Sequence, residues 1–472
     1  MQLKKGKVET FDVEEMAYGG KGISKVATDR GDFIVFIPNT IPGQKVLARI
    51  VKTSRRHAEA RLLRVVEPSS LESDIPYQTV SGAPFAKVAM ERQRFWKQRD
   101  SLAQFERNGI PEIHEVFRAF LSSPKDWCYR NKMEYSFSAI TWDHDKEEAV
   151  DRFGFGFKRR GMWWCVEDLD KPSGLFDSRF EEELKKIRAY CEATGLPPWH
   201  APQRKGFFRT LMVRYSFHED AFLFCLQTTS DDLDQFDLPA FADFLESLIP
   251  GRMAGFIHCV NDEEGDRFDF EKQKLTLIKG KDTITERISG LDFDISLSSF
   301  FQTNPASAEV LYAQVSDYVK EFGSAGKVMD LFCGTGTIAQ LLASTSGEEV
   351  IGVDIVESAI EDAQRNAKRN GVDGVQFFAS DIGHFLRDHP EYQGKIGTIV
   401  LDPPRAGITP KSLNKVIALD APSIIYVSCN PATQARDVIR LKEAGYALKA
   451  YHLVDQFPHT SHIEGIAALV KG

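Results

Sequence analysis

Three short stretches of this chain carry residue types that could perform chemistry together. Cys429 directly follows the mostly apolar run 423–428, so its thiol is expected at the end of a buried strand. Upstream, the predicted strand 327–332 leads into the turn 333–336, whose glycines suit a nucleotide-like cofactor. Asp402 lies between them in the sequence Asp-Pro-Pro-Arg. A cofactor turn, an acidic loop and a strand-end thiol together indicate group transfer through a covalent intermediate.

The glycine turn by itself does not identify the cofactor. Gly334 and Gly336 do not complete the pattern G-x-G-x-x-G, although Ala339 is tolerated at its last position. Asp354 ends the next predicted strand, where a carboxylate would accept hydrogen bonds from ribose hydroxyls or, alternatively, cap a helix. A dehydrogenase would account for the glycine turn, but it would give the acidic loop and Cys429 no function.

Alternating strands and helices from about residue 303 onward would position these groups. The expected strands are 327–332, 349–354, 375–379, 397–401 and 423–428, and the expected helices are 306–322, 337–343, 358–370 and 410–419. This alternation predicts a doubly wound, Rossmann-like sheet, in which ligands bind beyond the carboxyl ends of the strands.

The whole chain is expected to be a multidomain α/β protein. Residues 1–67 alternate apolar and polar positions between turns, which predicts an OB-like β-barrel that binds single-stranded nucleic acid. Residues 68–299 predict an α+β central domain. A basic helix at about 87–109 is expected to hold RNA or to pack on the catalytic domain. Residues 300–472 form the Rossmann-like domain.

Charge is unevenly distributed along the chain. The formal net charge is −9, yet residues 1–132 carry +7 and the remaining residues carry −16. A basic N-terminal part favours a polyanionic partner, although a moderately basic solvated surface would give the same count.

The seven cysteines are spread along the chain without a C-x-x-C pair. This spacing argues against a zinc ribbon, a local iron–sulfur loop and a disulfide framework, so reduced thiols are expected. The basic start has no apolar stretch after it, and no apolar run reaches about 18 residues. We therefore expect a cytoplasmic location and no association with a membrane.

Five motifs occur in an order that resembles one enzyme family. They are residues 300–304 (FFQTN), 330–336 (DLFCGTG), 401–407 (LDPPRAG), 426–433 (YVSCNPAT) and 462–464 (HIE). This order resembles the RNA (uracil-C5-)-methyltransferases, which use S-adenosyl-L-methionine to form 5-methyluridine. The N-terminal barrel resembles their TRAM domain, and residues 129–132 resemble their central RNA-binding region.

The resemblance implies a covalent mechanism. Carbon 5 of uracil is a poor nucleophile, but a thiolate that adds to carbon 6 places electron density on carbon 5, which then accepts the methyl group. A base must next remove the carbon-5 proton so that the thiolate can leave. Cys429 matches the family nucleophile and Glu464 the family base; the alternatives are a buried cysteine and a surface glutamate. Cys333, inside the cofactor turn, is expected to pack rather than react.

The resemblance also implies which residues bind the cofactor and the base. Gln302 and Asp402 are expected where the two meet, with Asp402 accepting from uracil N3–H. Asp354 is expected to hold the ribose, while Phe332 and Gly334 line the pocket. Most family members have Tyr at position 332, so any contact of its hydroxyl is lost here.

Three further residues have less definite roles. Arg130 is a candidate for a substrate contact. Arg405 would steady its loop or meet a phosphate, which the sequence leaves open. His462 is expected to orient the segment of Glu464 rather than to act as the base.

The sequence departs from the family in one region. Many members that modify rRNA carry four cysteines for an iron–sulfur cluster, but the corresponding stretch 74–85 has none. We therefore expect no cluster. The motifs are closest to those of the 23S rRNA enzymes, so 23S rRNA is the leading substrate and the T-loop of tRNA the alternative. An RNA-binding protein with a non-catalytic domain is a second alternative. We expect a monomer.

Overall fold

The computed structural model describes residues 4–28, 31–143, 146–265, 273–347 and 349–472. Two compact units divide the chain. The first comprises Met1–Trp96, Asp126–Ile284 and His459–Ser461, and the second comprises Lys97–Lys125, Thr285–Pro458 and His462–Gly472. Within the described ranges, no helix is long and apolar enough to cross a membrane.

The predicted N-terminal barrel is a six-stranded sheet with the order β1-β5-β6-β4-β3-β2. Its strands are β1 (Val8–Asp12), β2 (Glu15–Ala17), β3 (Lys21–Thr28), β4 (Gly31–Pro38), β5 (Lys45–Thr53) and β6 (His57–Glu67). Successive side chains of a strand point to opposite faces, so Val46, Ala48 and Ile50 are buried while Arg49 is exposed. The buried residues of β5 pack with Phe11 and Val35 in one small core.

A helical segment follows the barrel. Helix α1 (Met90–Arg107) is shorter at both ends than predicted, and α2 (Ile113–Val116) leads into the short strand β7 (Phe117–Leu121). Residues 97–125 belong to the second unit, where β7 is an edge strand. The predicted division into domains at 67/68 and 299/300 stays a prediction.

The predicted α+β region has a seven-stranded sheet with the order β10-β9-β8-β11-β12-β13-β14. Its elements are β8 (Lys132–Asp143), β9 (Glu148–Arg159), β10 (Met162–Asp168), α3 (Ser178–Glu181), α4 (Leu184–Ala193), β11 (Phe208–Ser216), β12 (Ala221–Thr228), α5 (Leu238–Leu248), β13 (Met253–Val260) and β14 (Leu275–Gly280). Its core is rich in aromatic side chains, among them Tyr135, Phe137, Phe155 and Phe180.

The second unit contains the predicted doubly wound sheet, which confirms the Rossmann-like fold. A hairpin of β15 (Thr283–Ile288) and β16 (Leu291–Ser296) precedes it. The helices are α6 (Pro305–Phe322), α7 (Thr337–Ser346), α8 (Glu357–Asn370), α9 (Ile382–Asp388), α10 (Pro410–Ala418) and α11 (Pro431–Glu443). The strands are β17 (Lys327–Leu331), β18 (Val350–Asp354), β19 (Val375–Ala379), β20 (Ile396–Leu401), β21 (Ser423–Ser428), β22 (Tyr446–Val454) and β23 (Glu464–Lys471).

The order of this sheet is β19-β18-β17-β20-β21-β23-β22-β7. Strands β17 to β21 are parallel, whereas β23 runs antiparallel to both β21 and β22. The strand order reverses at β17, so a crevice for a ligand is expected beyond the carboxyl ends of β17 and β20. The predicted cofactor turn and Asp402 follow these two strands.

Candidate active site

The turn after β17 departs from ordinary backbone conformations at three positions. Phe332, Gly334 and Gly336 have φ angles of 66°, 54° and 74°. A Cβ on Gly336 would lie 2.5 Å from the ring of Phe377, so only glycine fits there. A Cβ on Gly334 would meet no atom within 4 Å. The turn therefore has a closed side against β19 and an open side where a ligand can approach the backbone.

Asp354 connects the next strand to this turn. Its Oδ2 accepts a hydrogen bond from the backbone N–H of Gly334 at 3.0 Å, and its Oδ1 accepts from Val356 N–H at 3.0 Å. Val356, and not Asp354, occupies the N-cap position of α8. The carboxylate is thus held at the end of β18, beside the open side of the turn.

Cys429 and Glu464 are brought together by strand pairing. Ser428, the last residue of β21, pairs with Gly465 of the antiparallel strand β23. Cys429 follows Ser428 and Glu464 precedes Gly465, so the two side chains occupy adjoining positions in this register. Cys429 is half-buried, whereas Glu464 is 3% exposed.

Gln434 of α11 fixes the two strand ends to each other. Its Nε2 donates to the carbonyl oxygens of Tyr426 at 2.8 Å and of Gly465 at 3.0 Å. Its Oε1 accepts from the Tyr451 hydroxyl at 3.2 Å. A Cβ on Gly465 would lie 2.3 Å from that hydroxyl oxygen, so the contact also requires a glycine beside Glu464.

The acidic loop is anchored to the end of β17 and to the helix after Cys429. Asp402 N–H donates to Leu331 O at 3.4 Å, which joins it to the end of β17. Asn430 Nδ2 donates to Arg405 O at 3.1 Å. Asp437 Oδ2 accepts from Ile408 N–H at 2.9 Å and from the Tyr426 hydroxyl at 2.7 Å. The loop and Cys429 therefore share one supporting helix, α11.

Burial and like charge raise the pKa values of the acidic groups here. Burial raises the pKa of Asp402 to about 6, and burial together with Asp402 raises the pKa of Glu464 well above its ordinary value. Burial, Glu464 and Asp402 also raise the pKa of Cys429 to about 12, which the charge of Arg405 opposes. The free protein thus holds Cys429 as a thiol at neutral pH, and cationic ligands beside the carboxylates would favour its ionisation.

This chain is similar to known proteins over nearly its whole length. Residues 269–471 match the family described as tRNA (Uracil-5-)-methyltransferase, and residues 2–63 match the TRAM domain. An uncharacterised RNA methyltransferase of Clostridium tetani is 34% identical over 473 residues, which cover 99% of each chain. The chain belongs to the RNA (uracil-C5-)-methyltransferase family.

Other relatives support the assignment of this methyltransferase. An uncharacterised RNA methyltransferase of Clostridium acetobutylicum is also 34% identical and covers 99% of both chains. The crystal structure of Pyrococcus abyssi tRNA (uracil-54, C5)-methyltransferase in complex with S-adenosyl-L-homocysteine has a TM-score of 0.69 and 26% identity. The match covers 98% of this chain and 100% of that chain.

The structure of the methyltransferase brings most of the predicted site residues to one edge of the sheet. Phe332, Gly334, Asp402 and Cys429 follow strands of the second unit at their carboxyl ends, and Asp354 is the last residue of β18. Glu464 reaches the same edge because β23 is antiparallel to its neighbours.

Gln302 precedes α6 in the same unit and is 7% exposed. Its Oε1 accepts from Gln456 Nε2 at 3.3 Å. The segment before it is fixed by Ser299, whose Oγ donates to Asp362 Oδ2 at 2.7 Å. Gln302 is therefore held by its own contact with Gln456, and the chain before it is held by the contact of Ser299 with Asp362.

The remaining candidates are placed differently. Arg130 belongs to the first unit, where its Nε donates to Lys132 O at 3.3 Å. Arg405 is exposed on the acidic loop. The ring of His462 contacts Phe457 edge-on at 5.9 Å, in keeping with a role in holding the segment that leads to Glu464.

Three residues near the site were not singled out by the sequence. Phe300 is 68% exposed, and its carbonyl oxygen accepts from Thr335 Oγ1 at 3.4 Å beside the glycine turn. Asp330 is fully buried, and burial together with Asp402 raises its pKa well above the ordinary value. Tyr312 is buried in α6, and burial with Asp402 and Glu464 raises its pKa. In the sequence, the signal for Phe300 was an aromatic residue two positions before Gln302.

Proposed function

We propose that this enzyme transfers a methyl group from S-adenosyl-L-methionine to carbon 5 of a uridine in RNA. The observation that carries the proposal is the pairing of Ser428 with Gly465, which sets Cys429 beside Glu464 at the edge that also holds the cofactor turn. A nucleophile and a base in adjoining positions are what addition to carbon 6 and proton removal from carbon 5 require.

The turn after β17 fits the proposed cofactor. Its open side at Gly334 would admit the amino-acid part of S-adenosyl-L-methionine, and Asp354 would accept hydrogen bonds from the ribose hydroxyls. When bound, the cofactor supplies the methyl group and leaves as S-adenosyl-L-homocysteine. The carboxylates of Asp402 and Glu464 would favour the positive charge of its sulfonium group.

Cys429 carries the covalent part of the reaction. Its thiolate forms a bond to carbon 6, and the electrons of the 5,6 double bond move toward carbon 5 and the O4 carbonyl. Carbon 5 then takes the methyl group. Glu464 as a carboxylate removes the carbon-5 proton, the double bond forms again, and the sulfur–carbon bond breaks to release the thiolate.

Asp402 and Gln302 would recognise the base. An ionised Asp402 would accept from N3–H, which uracil has and cytosine lacks. A stacked or paired uridine must leave its helix to reach Cys429, and the exposed ring of Phe300 offers a surface for the flipped nucleotide. Arg130, in the first unit, would also contact RNA.

Two RNAs are candidate substrates. The motif similarity to 23S rRNA enzymes favours rRNA, whereas the likeness to the Pyrococcus abyssi tRNA enzyme over the full chain favours the T-loop of tRNA. Mapping 5-methyluridine in both RNAs from cells with and without the gene decides between them, because only the substrate RNA loses the modification. We further propose a cytoplasmic, monomeric enzyme.

Two substitutions test the chemistry against the alternative of a non-catalytic RNA-binding protein. Cys429→Ala should abolish methyl transfer and leave RNA binding within about twofold, since the thiol reacts only after binding. Glu464→Gln should accumulate a protein–RNA adduct that survives denaturation, because the carbon-5 proton stays in place.

Matched variants serve as controls for these two substitutions. Cys128→Ala, which changes another half-buried thiol, should keep full activity. Cys429→Ala combined with Glu464→Gln should form no adduct. Methylation by Cys429→Ala at the wild-type rate would contradict the mechanism.

A further inference from the structure

Helix α1 carries a lysine whose side chain is withdrawn from water. The side chain of Lys97 is 1% exposed, and its Nζ donates to Asp455 Oδ1 at 2.7 Å and to Phe457 O at 2.9 Å. Asp455 is fully buried. Replacing a buried ion pair with apolar residues is often neutral or stabilising, so stability alone does not account for this pair.

The ion pair leads directly to Gln302. Gln456 follows Asp455, is fully buried, and donates through Nε2 to Gln302 Oε1 at 3.3 Å and to Asn304 O at 3.1 Å. Asn304 Nδ2 donates back to Gln456 O at 3.2 Å. Because Gln456 donates to Oε1, the oxygen of the Gln302 amide faces Gln456, and this contact sets the orientation of the amide.

The same segment is tied to the start of α6. Ser307 Oγ donates to Asp455 O at 3.1 Å, and Asn304 Oδ1 accepts from Ser307 N–H at 3.2 Å as the cap of the helix. Buried polar networks with several such contacts are rigid, because each member limits the positions of the others. A displacement of Asp455 is therefore expected to displace Gln302 as well.

We propose that Lys97 and Asp455 are positioning residues for methyl transfer, which hold the amide of Gln302 at the reacting groups through Gln456. The inference rests on the proposed function, in which Gln302 contacts the cofactor and the base. Neither Lys97 nor Asp455 touches substrate in this scheme. Their effect on the rate comes from the geometry of Gln302, since small displacements of a positioned group weaken catalysis strongly.

The test measures kcat, KM for RNA and Tm for three variants of the full chain. Lys97→Met should lower kcat about 10- to 100-fold with KM for RNA within about twofold, and should lower Tm because Asp455 is left unpaired. Lys97→Met combined with Asp455→Leu should recover Tm but not kcat. Gln456→Met, which keeps the ion pair, should show the same loss of kcat.

Lys471→Met is the matched control. It breaks an ion pair with the exposed Asp420 at the far end of β23 and should leave kcat unchanged. Recovery of wild-type kcat by the double variant, or full activity of Gln456→Met, overturns the inference while the proposed function stands. If the double variant does not fold, Gln456→Met decides. A wild-type enzyme that methylates neither rRNA nor tRNA would overturn the proposed function and this inference with it.

Discussion

Ser428 of β21 pairs with Gly465 of β23, and the antiparallel direction of β23 makes Glu464 the neighbour of Cys429. Had β23 been parallel to β21, the residue that begins it would lie at the opposite edge of the sheet. The reversed strand therefore brings together the proposed nucleophile and the proposed base, and the proposed chemistry depends on a register that buried strands specify strongly.

Glu464→Gln should make the fold more stable, and more so at high pH. The pKa of Glu464 is raised in the folded protein, so the folded state binds its proton more tightly than the unfolded state does. The cost of ionising Glu464 in the folded state lowers the stability of the fold. This cost is absent below the ordinary pKa of glutamate and grows as pH rises above it. Calorimetry should show a larger increase in Tm at pH 8 than at pH 5. Equal increases at both values would contradict the raised pKa.

The reaction should accelerate with pH across the neutral range. Cys429 has a pKa of about 12 in the free protein, so kcat/KM is expected to rise about tenfold per pH unit between pH 7 and pH 9. Arg405→Met should lower the rate at each pH, since the arginine charge opposes the raised pKa. A rate that levels off below pH 8 would show that the thiolate is already formed in the free enzyme.

Gln434→Leu should weaken both the fold and the activity. Its side chain donates to the buried carbonyl oxygens of Tyr426 and Gly465, and losing these two hydrogen bonds costs about 2 kcal/mol. Loosening β21 from β23 should also lower kcat. Chemical denaturation and single-turnover assays measure the two effects. Gln393→Leu, at an exposed position before β20, is the control and should change neither quantity.

The two glycines of the cofactor turn should respond differently to alanine. Gly336→Ala places a Cβ against Phe377 at positive φ and should lower Tm. Gly334→Ala meets open space, so it should cost about 1 kcal/mol of backbone strain and chiefly raise the Kd for S-adenosyl-L-homocysteine in calorimetry. Gly371→Ala adds comparable strain after α8 and should leave that Kd unchanged. Unaltered affinity in Gly334→Ala would place the cofactor elsewhere.

The protein should contain no iron–sulfur cluster when it is purified without oxygen. The stretch 74–85 has no cysteine, and the described residues include no group of three or more His, Cys, Asp or Glu side chains arranged for a metal ion. Iron analysis and the visible absorption spectrum provide the measurement. Stoichiometric iron would contradict the prediction.

The sequence by itself determined the order of elements in the Rossmann-like domain and indicated most residues of the candidate site. Strands that are buried on both faces are mostly apolar, and the polar residues at or after their carboxyl ends are easily recognised, as with Asp354 and Asp402. The glycine turn and Cys429 were found in the same way. These features are local, so a window of a few residues contains the necessary information.

Only the tertiary structure decided which distant residues support the site. Strand β7 joins the sheet beside β22, and Lys97 forms an ion pair with Asp455. The sequence around β7 and around Lys97 does not indicate these partners. Burial likewise raises the pKa of Asp402, and burial together with repulsion by Asp402 raises the pKa of Glu464. Such effects depend on contacts between residues that are far apart in the chain, and these exist only once the chain has folded.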